Sequence, residues 1–572
     1  MNATSGVSDV DPIKVSVIGS RLEAISREIG QTMLRTSRSP IFSEARDFVT
    51  GIFDHRLRLL AQTAYIPVLM GALPFALESI AKEYADDIHE GDVFILNDPY
   101  HGNNHPPDIT IAKPVFADGE IQFWSVSKGH HADVGGGGVV GYNPAARTVW
   151  EECVRIPPAK LLDKGKRNKS LWDFILLNVR MPWLVEADLE CQIGACTIGE
   201  RSLRALIRKY GLPVLRGAAD QILDASERQA RAALRDLPNG VYRAESFIDH
   251  DGIDKAKRIG VRLTLTISDE AIHFDWSESD PQASGYVNST LANTVSASFQ
   301  ALFLTICADV KYNEGALRAL SVTAKEGTVL HAREPAPVSC CTVSASQAIV
   351  EAIWLALAQA APERVYAGWG RWLAPATMGL NPRTQRLFGD IHFMGKSGAG
   401  ATHGLDGWDH VGPSFCGGSL RAPDPELHEL IDPYTVLQYE YWQDSAGPGR
   451  WRGGLGTIYR WRVEADGIMA VNFGGGVNDE TRPYGLAGGQ RSPISELRVR
   501  RRGGGEAERI DTESFFTLNQ GDEVELRVTG GGGFGDPLAR DRASLADDLA
   551  DGVVSLAQAR AAYGWEPEGT AG

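Results

Sequence analysis

Apolar residues fall three and four apart between residues 15 and 36, at Ile18, Leu22, Ile25, Ile29 and Met33. This spacing predicts an amphipathic helix, ended by Ser39-Pro40. FVTGIFD (48–54) reads as a strand, and the following LLAQTAYIPVLMGALPFALESIAKEYA as a loop leading into a second helix. Residues 91–131 carry strand patterns: VFILND, then DITIAKPVF and EIQFWSVSKG on either side of Ala117-Asp118-Gly119-Glu120. Asp-Gly between two apolar runs favours a type I′ hairpin, which needs positive φ at both central residues. Pro114 has no N–H to donate, so it is expected at an unpaired position of an edge strand. Helical periodicity returns from about 170 to 237 and stops at Leu237-Pro238-Asn239-Gly240. Alternation in VRLTLTISDEAIHFDW predicts another hairpin, and 289–308 and 344–360 read as buried helices. Residues 430–530 are Gly-rich and β-like, and Arg542 to Gly564 form a short helical tail. No tandem repeat is visible.

A chain of 572 residues exceeds one hydrophobic core, since single cores stop growing at roughly 250–300 residues. The pattern predicts a multi-domain α+β protein with mixed and antiparallel sheets and flanking helices. The expected units are 1–240 and 241–425, both α+β, then a Gly-rich β domain at 426–540 and a helical tail at 541–572.

Composition narrows the function. Apolar content of 43% with 23% charged residues is that of a globular protein. A net charge of −16 argues against nucleic acid and against an anionic membrane surface as partners. No apolar run approaches the roughly 18 residues of a membrane span. The start, MNATSGVSDVDPIK, lacks the basic and apolar regions of a secretory signal. The seven cysteines are scattered, with no Cys-x-x-Cys pair. They read as reduced, buried thiols, so a cytoplasmic address is expected.

Four of the 13 histidines, His101, His105, His130 and His131, crowd into one stretch with Asp98, Asp108 and Asp133 among them. Imidazole nitrogen with carboxylate oxygen suits Zn²⁺, Mn²⁺ or Fe²⁺. The predicted hairpin makes these residues converge. If Ala117 faces Glu120, a regular ladder sets Asp108 opposite Gly129 and Pro107 opposite His130. Asp108 and the His130-His131 pair then reach the same end of one hairpin, with His105 three residues away. A strict pleat puts His131 on the face of Asp108, but strands lose regularity at such ends, so register alone does not choose between the two histidines.

Other motifs are weaker. Gly395-Lys396-Ser397 resembles the end of a P-loop, but Asp390 occupies the position of its first glycine. TGGGGFGDP (529–537) could cradle a phosphate, though a tight turn with close backbone packing accounts for it better. There is no Gly-x-Ser-x-Gly elbow. Taken alone, Glu44-Ala45-Arg46-Asp47 is an exposed charged turn.

Over nearly its whole length the chain resembles the hydantoinase B/oxoprolinase family. The resemblance rests on SEARDFVTGIFD (43–54), LLAQTAYIPVLMGALP (59–74), NDPYHGNNHPPDITIAKPVF (97–116) and KGHHADVGG (128–136). It continues through VNSTLANT (287–294), TRPYGLAGG (481–489), GGGGFGDP (530–537) and DGVVSLAQARAAYG (551–564). It implies a divalent metal, Zn²⁺ or Mn²⁺, on His105, Asp108, His130 and Asp47, with His131 and Asp133 as outer partners or catalytic groups. It also implies a larger ATP-binding partner subunit of the hydantoinase A type, which would carry ATP and Mg²⁺. The implied reaction is ATP-dependent opening of a cyclic amide such as a hydantoin, 5-oxoproline or a lactam. There the partner phosphorylates the amide oxygen and water activated at the metal attacks. The same resemblance admits a subunit of a ketone carboxylase of the acetone or acetophenone type, or a structural subunit without catalysis. The chain departs from the family pattern at Ala45, at Phe48-Val49-Thr50 and at Asn103-Asn104; these changes spare the ligands and are expected to reshape the pocket.

Overall fold

The computed structural model describes residues 10–566; residues 1–9, on which the absence of a secretory signal was read, lie outside them. The predicted first helix spans Pro12–Thr36, earlier than the apolar spacing alone suggests, because the Asp11 carboxylate accepts the N–H groups of Ile13 and Lys14 and Pro12 opens the first turn. Its Ile18, Leu22, Ile25, Ile29 and Met33 are all buried.

The first sheet contains β1 (Phe48–Asp54), β2 (Leu59–Ala64), β3 (Val93–Leu96), β4 (Asp108–Ala117), β5 (Glu120–His130), β6 (Ala159–Asp163) and β7 (Lys166–Arg167). They run in the order β2-β1-β5-β4-β3-β6-β7 with antiparallel pairing throughout. Residues 59–64, expected as loop, are thus a strand: β1 needs a partner on its outer edge, and Leu59, Leu60 and Ala61 are buried there. The β4–β5 turn is the predicted one, with φ of 54° at Asp118 and 77° at Gly119. Pro114 does not sit on an edge strand. β4 is interior, and the proline is tolerated because β3 pairs only with Thr110–Ala112 and stops short of it. Helices Pro12–Thr36 and Pro182–Tyr210 pack on this sheet.

The second sheet is β8 (Gly240–Ile248), β9 (Ile259–Ser268), β10 (Ala271–Asp275) and β11 (Leu320–Thr323), in the order β11-β10-β9-β8. Only β10 and β11 pair in parallel. The buried helices Leu291–Phe303 and Ser344–Leu357 pack on each other, and the latter lies against β8 and β9. The third sheet joins β12 (Leu373–Asn381) and β13 (Arg386–Ile391) to β16 (Ile468–Gly474) and β19 (Ser514–Leu518). The expected boundary at 425/426 therefore runs through a hydrogen-bonded sheet. The fourth sheet orders β14 (Tyr434–Tyr441), β15 (Thr457–Val463), β20 (Glu523–Val528), β17 (Glu496–Arg500) and β18 (Glu508–Ile510). Helices Arg542–Ala550 and Leu556–Tyr563 make the tail. One connected apolar core runs from Ile18 to Val528.

The Gly-rich run is a packing device. A Cβ on Gly531 would lie 1.9 Å from the Ala399 carbonyl oxygen, and one on Gly532 1.9 Å from that of Tyr484. Lys396 and Ser397 are likewise spent on backbone carbonyls, of Leu420 and Gly370, at 2.8 Å each. All seven cysteines are free and buried. Among the described residues no helix is long and apolar enough to cross a membrane.

Candidate metal centre

The centre forms where three strands end together. β5 lies between β1 and β4, so the residue before β1, the first of β4 and the last of β5 meet at one end of the sheet. These are Asp47, Asp108 and His130. The Asp47 carbonyl accepts the His130 N–H at 3.0 Å and ties the strand ends together.

Asp108 faces His130, not Gly129. A bulge interrupts the ladder: Phe116 pairs with Ile121 and Val115 with Phe123, leaving Gln122 unpaired. One extra residue inverts which side chains share a face. The bulge thus places His130 rather than His131 beside Asp108, where the sequence left both open.

His105 arrives on the loop before β4. Asn103 pins that loop, its side-chain amide donating to the carbonyls of Asn97, His105 and Asp108 at 3.0, 2.9 and 2.6 Å. Asn104 accepts from the buried Lys128 ammonium at 3.1 Å, and burial lowers that lysine to about 7. Asn103 and Asn104 therefore brace the loop that carries His105.

His105 Nε2 lies 3.0 Å and His130 Nδ1 3.6 Å from Asp108 Oδ1. His105 Nδ1 is 2.7 Å from the Ser339 carbonyl oxygen. A carbonyl only accepts, so Nδ1 carries the proton and Nε2 turns its lone pair toward Asp108. Neither Asp108 oxygen has an aligned donor, and His130 Nε2 has no partner either, although all three atoms are buried. Lone pairs facing a buried, donor-less carboxylate repel it unless a cation lies between. The donor set of His105, Asp108 and His130, with ligand atoms within 4.8 Å of one another, fits a divalent ion of the Zn²⁺ or Mn²⁺ type.

Asp47, read from the residues alone as an exposed turn, is half-buried and lines the same cavity without joining the tight trio. Burial pushes its carboxyl up to about 7, with His130 opposing and Asp108 adding to the rise.

The cavity is small, about 30 Å³, room for one or two waters. Asp47, His105 and His130 form its polar end, while Trp372, Phe393, Phe415 and Phe473 wall the rest. Tyr142 joins the two ends, stacked on Phe473 at 4.0 Å and over His130 at 5.8 Å. These walls come from segments far along the chain and carry no local signature; nor does the Ser339 carbonyl, which is backbone.

The residues expected to do proton chemistry are placed elsewhere. His131 turns to the opposite face of the sheet, where its Nε2 meets Gln192 Oε1 at 2.9 Å and its ring stands edge-on to Phe42. Burial lowers it to about 4, against the Gln192 hydrogen bond. Asp133 is held by Arg180 at 2.7 Å and by the Gly135 and Met181 N–H groups at 3.0 Å each. Neither lines the cavity. His101 stays at the surface, 3.4 Å from Asp98, whose carboxylate is bound by Arg155.

Known proteins share this architecture. The beta subunit of caprolactamase from Pseudomonas jessenii is 35% identical over 565 residues, covering 98% of this chain and 96% of that one. The B subunit of a putative D-/L-hydantoinase from Pseudomonas sp. (strain NS671) is 30% identical, with 97% and 95% covered. The crystal structure of ATP-dependent caprolactamase from Pseudomonas jessenii superposes with a TM-score of 0.90 at 36% identity, covering 98% of this chain and 97% of that one. Nucleotide-free acetone carboxylase superposes at 0.88 with 21% identity, covering 97% and 79%, a likeness of fold alone. The family model for hydantoinase B/oxoprolinase matches residues 11–537, and the chain belongs to that family.

Proposed function

We propose that this chain is the metal-holding subunit of an ATP-dependent enzyme that opens a cyclic amide of the lactam or hydantoin type. ATP and Mg²⁺ are handled by a larger partner subunit of the hydantoinase A type. The observation that carries the reading is the donor-less Asp108 carboxylate between His105 and His130, at the polar end of an apolar cavity. Kinship to a caprolactamase subunit and a hydantoinase subunit supports the substrate class.

His105, Asp108 and His130 would hold the divalent ion, with Asp47, which lines the same cavity, as a fourth donor. When bound, such an ion supplies Lewis acidity that brings the pKa of water from 15.7 toward ~7. Ser339 fixes the His105 ring so that its metal-facing nitrogen stays unprotonated. Trp372, Phe393, Phe415 and Phe473 form the apolar wall beside the ion; once they part to admit a ring they would face its methylenes and keep bulk water from the activated amide. His131 and Asp133 do not line the cavity, and we read them as supports: His131 binds Gln192 of the packed helix, and Asp133 holds the loop after β5 through Arg180 and Met181.

The test is ATP turnover by the co-expressed pair against lactams, hydantoins, 5-oxoproline and ketones, each with and without bicarbonate. Ring opening that consumes ATP and ignores bicarbonate is the expected result. ATP turnover on a ketone that requires bicarbonate would replace this reading with a carboxylase. Full ring opening by a metal-free His105→Ala complex would reduce the chain to a structural subunit.

A further inference from the structure

A second group of histidines and carboxylates lies behind the cavity wall. Ile391 and Phe393 line the cavity, so alternation along the chain turns Asp390 and His392 the other way. There they meet His428, on the helix Pro425–Ile431, and Asp432 just after it. All four residues are buried. Asp390 Oδ2 is 3.9 Å from His392 Nε2 and 3.9 Å from His428 Nδ1, and Asp432 Oδ2 is 3.6 Å from that same His428 nitrogen. Asp390 Oδ2 has no hydrogen-bond partner.

The remote nitrogens converge on one oxygen. Tyr459 OH is 3.2 Å from His428 Nε2 and 3.4 Å from His392 Nδ1. A phenol oxygen can accept both N–H groups. That tautomer leaves lone pairs on His428 Nδ1 and His392 Nε2, the two atoms nearest the orphan carboxylate oxygen; Thr377 Oγ1, 3.2 Å from that His392 nitrogen, is the group an ion would displace. Imidazoles anchored through their far nitrogen are the usual arrangement around a metal. Trp461 stacks on His392 at 4.4 Å and Tyr434 on His428 at 5.5 Å, which fixes both ring planes.

We infer a second divalent-cation site, of the Zn²⁺ type, held by Asp390, His392 and His428 with Asp432 as fourth donor. Two imidazoles and two carboxylates are a borderline donor set that selects Zn²⁺ over Ca²⁺ or Mg²⁺. The donor atoms of Asp390, His392 and His428 lie within 4.8 Å of one another, and tetrahedral Zn²⁺ sets its donors roughly 3.3 Å apart, so the trio closes by up to about 1.5 Å on binding and Asp432 swings in from outside it. Four protein donors leave no open position, so the ion is structural. It fastens the helix Pro425–Ile431 to the end of β13 and thereby backs the cavity wall.

The experiment is elemental analysis and thermal melting of the full-length chain after incubation with Zn²⁺ and desalting. The variants are His105→Ala, His428→Gln and the two combined. His105→Ala is expected to keep roughly one Zn²⁺ per chain, lost only in the double variant. Chelation should lower the melting temperature of His105→Ala. A folded His105→Ala chain without Zn²⁺, or one whose Zn²⁺ survives His428→Gln, overturns the proposal. Because His105→Ala leaves the second cluster whole, its metal content decides the question even if His428→Gln does not fold; Asp432→Asn is the milder substitute.

Discussion

At the scale of single residues, the metal centre depends on groups that touch no substrate. The Ser339 carbonyl sets the tautomer of His105, and Asn103 holds three carbonyls of the ligand loop. Replacing His105 with Ala should remove the first-site metal and bring ring opening to background, with partner assembly unchanged by gel filtration. Asn103→Ala removes the two N–H groups that three buried carbonyls share. At about 1 kcal/mol per N–H it should cost about 2 kcal/mol in denaturant unfolding, and weaken metal affinity roughly 10–100-fold. His131→Leu separates structure from chemistry. It leaves Gln192 Oε1 without its partner and should cost about 1–3 kcal/mol of stability, while the pH profile of kcat stays that of the wild type. A displaced profile would restore His131 to the reaction.

At the scale of elements, the hairpin of β4 and β5 brings the site together. Its turn was legible, because Asp-Gly at a two-residue connection leaves few alternatives. A Cβ on Gly119 would meet nothing within 4 Å, but the residue has a φ of 77°. Gly119→Val should therefore cost about 1–2 kcal/mol in unfolding free energy and leave the metal content intact. The bulge at Gln122 was not legible. It depends on how both strands sit against their outer neighbours, and it alone decides that His130 accompanies Asp108. The amphipathic helix, the two buried helices and the strand alternation were readable because each is periodic within one segment. Pro114 misled because a proline reports a missing donor, not which strand is at the edge. Phe415 and Phe473 reach the cavity only through tertiary packing, and Asp47 entered the ligand set by family resemblance, not by any local pattern.

At the scale of the whole molecule, buried carboxylates join segments that are distant in sequence. Glu152 accepts the N–H groups of Val338 and Ser339, both at 2.8 Å, and Glu513 accepts from Tyr286 and from the Gly474 N–H. Burial raises each from 4.5 to about 8, against those hydrogen bonds. A folded-state pKa above the unfolded one means that the native chain keeps a proton the unfolded chain releases. Their contribution is complete below pH 4.5 and declines as pH rises toward 8. Melting temperature should fall across that window, and Glu513→Gln should flatten the fall; an equally steep fall in the variant would exclude Glu513 as a cause. The strand end from Asp390 to Phe393 serves two neighbours at once, and a mutational scan should expose it as a two-beat rhythm. Substitutions at Ile391 and Phe393 would select for altered ring size or turnover, whereas those at Asp390 and His392 would deplete by loss of abundance, so the phenotype changes kind at each successive codon.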